Sequence, residues 1–341
     1  MNDKADNSQG PPAVWIVRAC QALHVPLWLG VLILGLLPFP VMLFVGAKVA
    51  GLSDSLLSGF VVPEAPLTLS LVLVPILCTI YLSRTAEHAN NYAETLLTSP
   101  RNENARTPIN FESLYSMRFV APIAALIYIA VFALYYEFGT VPIPVVFARA
   151  PSVLYAFLVI GAEIWVYAYS MYSIRKVGSL PLTLKSFTED RTLGLRPFGT
   201  ASLKFTVAYV LSVCAAALSG QSLPLSVLLG VLASFSLLGM GFFFLPLLSL
   251  HRKLATVKRE HMDWISTEHG AVLNEMQLPG GLRDGVLATR LATVKSVRQD
   301  LNSIHVWPFD TSILVRVVSI TVLPILLTVF GREVILLVLG L

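Results

Sequence analysis

Seven long, predominantly apolar runs punctuate this chain, near Leu27–Ala50, Leu67–Ser83, Phe119–Phe138, Ser152–Tyr172, Ala201–Ser219, Leu225–Leu248 and Thr311–Phe330. Each holds about 17–25 residues, enough for an α-helix to cross a hydrocarbon core of about 30 Å. Lipid offers no partner to backbone N–H and C=O groups, so a run of this kind must satisfy them internally, as a helix does. Composition agrees. Hydrophobic residues make up 55% of the 341 and charged residues only 13%, against roughly 25% charged in an ordinary soluble domain. The expected fold class is all-α: a polytopic helical membrane protein with about seven transmembrane helices. Val334–Leu341 is too short to span and reads as the seventh helix continuing or as an interfacial tail. The first run is no secretory signal, because its apolar core is too long and 26 residues precede it.

Basic residues give the orientation, since cytoplasmic loops carry the excess of Lys and Arg. The segments on one side carry two, four, five and eight of them, 19 in all, and the other side carries only Arg149 and Arg332. Lys48, Lys204 and Arg316 fall within the runs. The split predicts an N-in, C-out arrangement in a cell membrane, plasma or inner. A net charge of +4 and a pI near 9.0 then need no nucleic-acid partner. Anionic lipid headgroups account for them. Cys20, Cys78 and Cys214 are isolated from one another and read as reduced packing residues rather than a metal or redox pair.

Two short motifs mark re-entry into the membrane. In "IHVWPFDTS", Trp307 suits the headgroup level, Pro308 ends the preceding helix, and Asp310 is placed to cap the next, with Phe309 between them. "GLRPFGTAS" repeats the pattern with Arg196, Pro197 and Phe198 before the fifth run.

The chain divides into four segments. Residues 1–26 form a cytoplasmic N-terminal segment with a candidate interfacial helix, and residues 27–248 a six-helix transmembrane region with helical cytoplasmic loops. Residues 249–310 form a cytoplasmic helical hairpin, and residues 311–341 the seventh transmembrane helix and a C-terminal tail. The hairpin follows from two apolar stripes at helical spacing: Leu250, Leu254, Val257, His261 and Trp264, then Leu287, Leu291, Val294, Leu301 and Ile304. "LPGG" separates them. Arg84–Leu97 and Ile174–Lys185 read as shorter extensions of the second and fourth runs. The hairpin either packs internally and against the neighbouring cytoplasmic extensions, or it mediates the subunit contacts of a homo-oligomer or receives a signal. The sequence does not identify a soluble partner.

Catalytic and metal signatures are lacking. His261 and His269 in "HMDWISTEH" would lie roughly 12 Å apart along a helix, too far to share an ion. The sequence holds no HExxH, GxSxG, Walker or dinucleotide motif, so no cofactor is expected. The seventh run lacks the central lysine a retinal pigment needs.

Two features inside the runs point to function. Pro38 and Pro40 interrupt the first run with about eleven apolar residues on either side, a spacing that predicts a break or strong kink. Interrupted spans survive only where protein or a wet cavity satisfies the freed carbonyls, and they often border transport sites. Glu163 lies near the centre of the fourth run, with Tyr167 and Ser170 on the same helical face. An acidic residue at mid-bilayer is costly and is by default a functional candidate. The expected function is a channel or ion-coupled transporter, with its pathway near the first and fourth helices. A membrane scaffold or sensor acting through the hairpin is the alternative, and an intramembrane enzyme the weakest one.

Overall fold

A computed structural model of the chain describes residues 24, 26–51, 62–97, 117–138, 143–186, 189–219, 224–278 and 285–339. The N-terminal segment up to residue 23 with Cys20, the loop at 220–223 and the glycines of "LPGG" lie outside the described residues. Among those described, regular structure is helical throughout: α1 Leu27–Gly30, α2 Pro38–Val49, α3 Val62–Thr95, α4 Met117–Phe138, α5 Ile143–Val177, α6 Arg196–Ser219, α7 Leu225–Phe244, α8 Leu248–Met276, α9 Gly285–Asn302 and α10 Thr311–Leu339. Six helical stretches are long and apolar enough to cross a membrane: 28–49, 70–95, 144–177, 196–217, 225–276 and 311–330. In α4, a helix of 22 residues, the apolar stretch Phe119–Ala130 is shorter.

The first run is not broken at its prolines. A six-residue π-helical stretch, Val31–Leu36, joins α1 to α2, and Leu37 keeps helical dihedrals. The wider turn is the physical answer to Pro38 and Pro40, which cannot donate backbone hydrogen bonds and crowd the preceding carbonyls. Gly35 is one residue whose carbonyl would face a proline nitrogen in π-type pairing. Its oxygen instead accepts a hydrogen bond from the Tyr155 hydroxyl of α5 at 3.1 Å. A neighbouring helix thus satisfies the carbonyl that the proline frees.

Helix ends shift from the hydropathic boundaries in an informative way. Helix α3 runs 34 residues, carrying its extension through Thr95 as one helix. Helix α5 runs 35 residues but begins earlier than the apolar run and ends at Val177, short of Lys185. The chain beyond it turns back, and Thr183 N donates to the Leu96 carbonyl at 2.7 Å. Leu97 and Leu182 form an isolated antiparallel bridge there. Pro246 lies in a 3-10 turn, Leu245–Leu247, through which α7 passes into α8. Helix α10 continues to Leu339, so the end of the chain up to that residue prolongs the seventh run.

Helix α3 sits between two groups. On one side α5 is packed by α2 and α4; on the other α6 is packed by α7 and α10. Small side chains allow the approach. Cys78, Ala86, Ala89 and Ala93 of α3 and Ala201 and Ala208 of α6 are all buried, as expected where helices meet by packing rather than by expulsion of water. Gly46 of α2 lies against the Ala148 backbone so closely that a Cβ would overlap the carbonyl oxygen. Helices α8 and α9 pack against each other. Lys258 Nζ of α8 donates to the Asn302 and Ile304 carbonyls at 3.1 and 2.9 Å. At the other end Arg290 of α9 pairs with Glu268 and Glu275 of α8.

Candidate functional site

Glu163 is 4% exposed. It sits past the middle of α5, where that helix faces α3 and α6, and the Ser212 hydroxyl of α6 donates to its Oε1 at 2.7 Å. The Cys78 thiol of α3 lies beside both groups. It also approaches the Ala208 carbonyl at 3.5 Å. Three helices therefore each supply a polar side chain to one buried cluster. Among the described residues no cation pairs with Glu163. Lys204 lies eight residues before Ser212 on α6, about 12 Å along the axis.

Tyr167 and Ser170 share the buried face but do not prolong a hydrogen-bonded chain. Ser170 Oγ donates to the Val166 carbonyl of its own helix at 2.7 Å, a common resting place for a helical serine. Among the described residues the buried Tyr167 hydroxyl has no partner in hydrogen-bond geometry, and the Thr206 hydroxyl lies beside it. Its ring lies among Phe205, Tyr209 and Phe242, with centroids 6.3, 5.7 and 5.3 Å away. Pro38 and Pro40 stand apart from Glu163, on α2, and reach α5 by way of the Tyr155–Gly35 contact twelve α5 residues before Tyr167. Ser212 and Cys78 carry no sequence signal stronger than a single small polar side chain inside an apolar run. Only the helix packing brings them to Glu163.

The two Pro-Phe turns meet. Arg196 Nη2 lies 3.4 Å from Asp310 Oδ2. Gly199, one turn into α6, is so close to the Pro308 carbonyl that a Cβ would overlap it. Phe198 and Phe309 are both buried, and Phe309 packs on Phe243 and Phe244 at 5.1 and 6.1 Å. Trp307 stacks on His251 at 4.1 Å, and His251 Nδ1 lies 2.9 Å from the Val306 carbonyl oxygen. Asp310 caps α10: its Oδ1 accepts from Ser312 Oγ at 2.7 Å and from Ile313 N at 3.0 Å. These donors, first Ser312 and then Ile313, with Arg196 alongside, hold the Asp310 carboxyl below the usual aspartate range.

The link between α5 and α6 is ordered by a second aspartate. Asp190 accepts from Thr192 N at 2.9 Å, Thr192 Oγ1 at 2.8 Å and Gly194 N at 3.0 Å. Tyr92 of α3 then donates to the Gly194 carbonyl at 2.7 Å. Partial burial pushes the Asp190 carboxyl up, but the donors and Lys185 outweigh it and leave it below the usual range.

Among the described residues no cluster of His, Cys, Asp or Glu is arranged to hold a metal. In "HMDWISTEH", Glu268 is taken up by Arg290, and His261 Nδ1 lies 2.8 Å from the Val257 carbonyl oxygen of its own helix.

Searches against models of protein families, against curated proteins and against solved structures find no match to this chain. The helical architecture, with six stretches long and apolar enough to span, is compatible with a multi-pass membrane protein. Function has to be argued from the site itself.

Proposed function

We propose that this chain is a seven-span membrane protein, N-terminus in the cytoplasm, acting as a channel or ion-coupled transporter that uses Glu163. In this arrangement α4 supplies the seventh span, and α8 and α9 form a cytoplasmic hairpin. One observation carries the functional reading: a carboxyl group enclosed between three apolar helices, held by the Ser212 hydroxyl at 2.7 Å and, among the described residues, lacking a paired cation. Such a group is expensive to keep, and side chains of this kind mark ion and proton pathways in membrane proteins. The π-helical stretch before Pro38 adds an irregular backbone to the neighbouring first span, a second feature found beside transport sites.

Glu163→Gln in reconstituted vesicles tests this reading. Gln keeps size and hydrogen-bonding capacity but cannot ionise. A transporter using the carboxyl folds normally as Gln and loses its flux or the pH dependence of that flux. Matching wild-type and mutant flux curves across a pH series would remove Glu163 from the mechanism.

A scaffold or sensor is the second reading, favoured by exposed apolar side chains on α8. Trp264 is 60% exposed and Leu273 is 39% exposed. A self-associating hairpin would make Trp264→Ala lower the oligomeric mass measured by light scattering; an unchanged mass would count against it.

A further inference from the structure

A cleft of about 360 Å³ opens between α3 and α6, lined by Thr85, His88 and Ala89 on one side and by Arg196, Thr200 and Lys204 on the other. On α6 the three polar residues recur every four positions, so a guanidinium, a hydroxyl and an ammonium stand above one another on one face. On α3, Thr85 and His88 are one turn apart and face them. Ala89, Pro197 and Ala201 give the cleft an apolar floor. Among the described residues no acidic side chain lines it. Asp310 reaches the lining residue Arg196 at 3.4 Å. Arg196 carries further donors on its planar fork. Lys204 is exposed and has no ion pair among the described residues.

From this geometry we propose that the cleft binds a phosphate-bearing anion, with Lys204 and Arg196 supplying the charge and His88 a further donor, while the Thr85 and Thr200 hydroxyls donate to the Tyr81 and Arg196 carbonyls of their own helices. An ammonium, a guanidinium and an imidazole lining one cleft offer the recognition chemistry of phosphate oxygens. The volume lies within the range of small-ligand sites, and the apolar floor fits the first acyl methylenes of a phospholipid. The cleft adjoins the Arg196–Asp310 contact and hence the Trp307 turn, at the level where headgroups lie if the proposed membrane embedding holds. An anionic phospholipid and free phosphate share the chemistry, and only the lipid source rests on that embedding.

The full chain in neutral detergent allows the test. Thermal unfolding is followed while phosphatidylglycerol, phosphatidylcholine or inorganic phosphate is titrated in, for wild type, Lys204→Gln and Lys295→Gln. Lys295 lies on α9, away from the cleft, and serves as the control. Phosphatidylglycerol should raise the unfolding midpoint saturably and phosphatidylcholine should not. Lys204→Gln should raise the half-saturating phosphatidylglycerol concentration roughly fivefold, and Lys295→Gln should leave it unchanged. Stabilisation by inorganic phosphate as well, lost in Lys204→Gln, makes soluble phosphate the ligand. No stabilisation by either anion, or equal responses of the two variants, overturns the proposal. Should Lys204→Gln fail to fold, a photoactivatable phosphatidylglycerol on the wild-type protein decides the matter. Adducts should map to residues 84–92 or 196–204, and adducts confined to other segments overturn the site. Flux enters none of these measurements, so they stand apart from the fate of Glu163.

Discussion

Arg196 and Asp310 lie 114 residues apart in the chain, yet their side chains meet at 3.4 Å and join the first turns of α6 and α10. Each belongs to a Pro-Phe turn, and each turn delivers one buried phenylalanine to the same core. The ion pair itself is exposed, with the Arg196 side chain 64% accessible, so it contributes at most about 1 kcal/mol. Backbone contact between the turns and the cap on α10 matter more.

Replacing Asp310 with Ala removes the acceptor for Ser312 and Ile313 and should cost about 0.5–2 kcal/mol. The expected result is a lower unfolding midpoint in detergent with any transport activity of the folded protein retained. Loss of activity at unchanged stability would instead make the turn part of the mechanism.

Gly199→Ala should be more damaging than its size suggests. The added methyl overlaps the Pro308 carbonyl, and backbone cannot swing aside as a flexible side chain can. Forcing α6 from the 306–310 turn should cost about 1–3 kcal/mol. A thermal midpoint within error of wild type would show that the two turns do not approach so closely.

Asp190 predicts an acid-sensitive link. Its carboxyl is held below the usual range in the folded protein, so its stabilising effect is present above the unfolded value of about 3.9 and is lost as pH falls toward the folded value. Wild-type protein should lose thermal stability across that acidic window, and Asp190→Asn should show a smaller change there. At neutral pH the variant should be destabilised by about 1–2 kcal/mol through its weakened hold on Thr192 and Gly194. Parallel pH curves for the two proteins would exclude this role.

Ser212→Ala isolates the donor to Glu163. Leaving a buried carboxyl oxygen without its partner should cost about 1–3 kcal/mol. If Glu163 serves transport, the pH dependence of flux should also move. A shift in stability alone would mark the contact as structural.

Sidedness is open to direct labelling. A cysteine at Ser53 or Ser222 should react with an impermeant thiol reagent applied outside intact cells, and one at Ser296 should not. Reaction at position 296 would reverse the proposed arrangement.

The apolar runs determined the helical class and most helix positions, because lipid-length hydrophobic segments have few other ways to satisfy their backbone. Helical periodicity marked Leu250 and Leu254 of α8 and Val294 and Leu301 of α9 as buried but misplaced Trp264, which is exposed while Ile265 beside it is buried. Residue type alone identified Asp310 as a cap and Glu163 as an outlier. Three matters were left to tertiary packing. The prolines at 38 and 40 give a π-helical passage rather than a break, since the carbonyl of Gly35 finds Tyr155 on another helix. The two Pro-Phe turns touch because α6 and α10 pack in register, a long-range relation that no local pattern encodes. Ser212 and Cys78 join Glu163 only through the meeting of α3, α5 and α6. Periodicity tells which face of a helix is buried, but the partner of that face is chosen by interdigitation of side chains from segments distant in the chain.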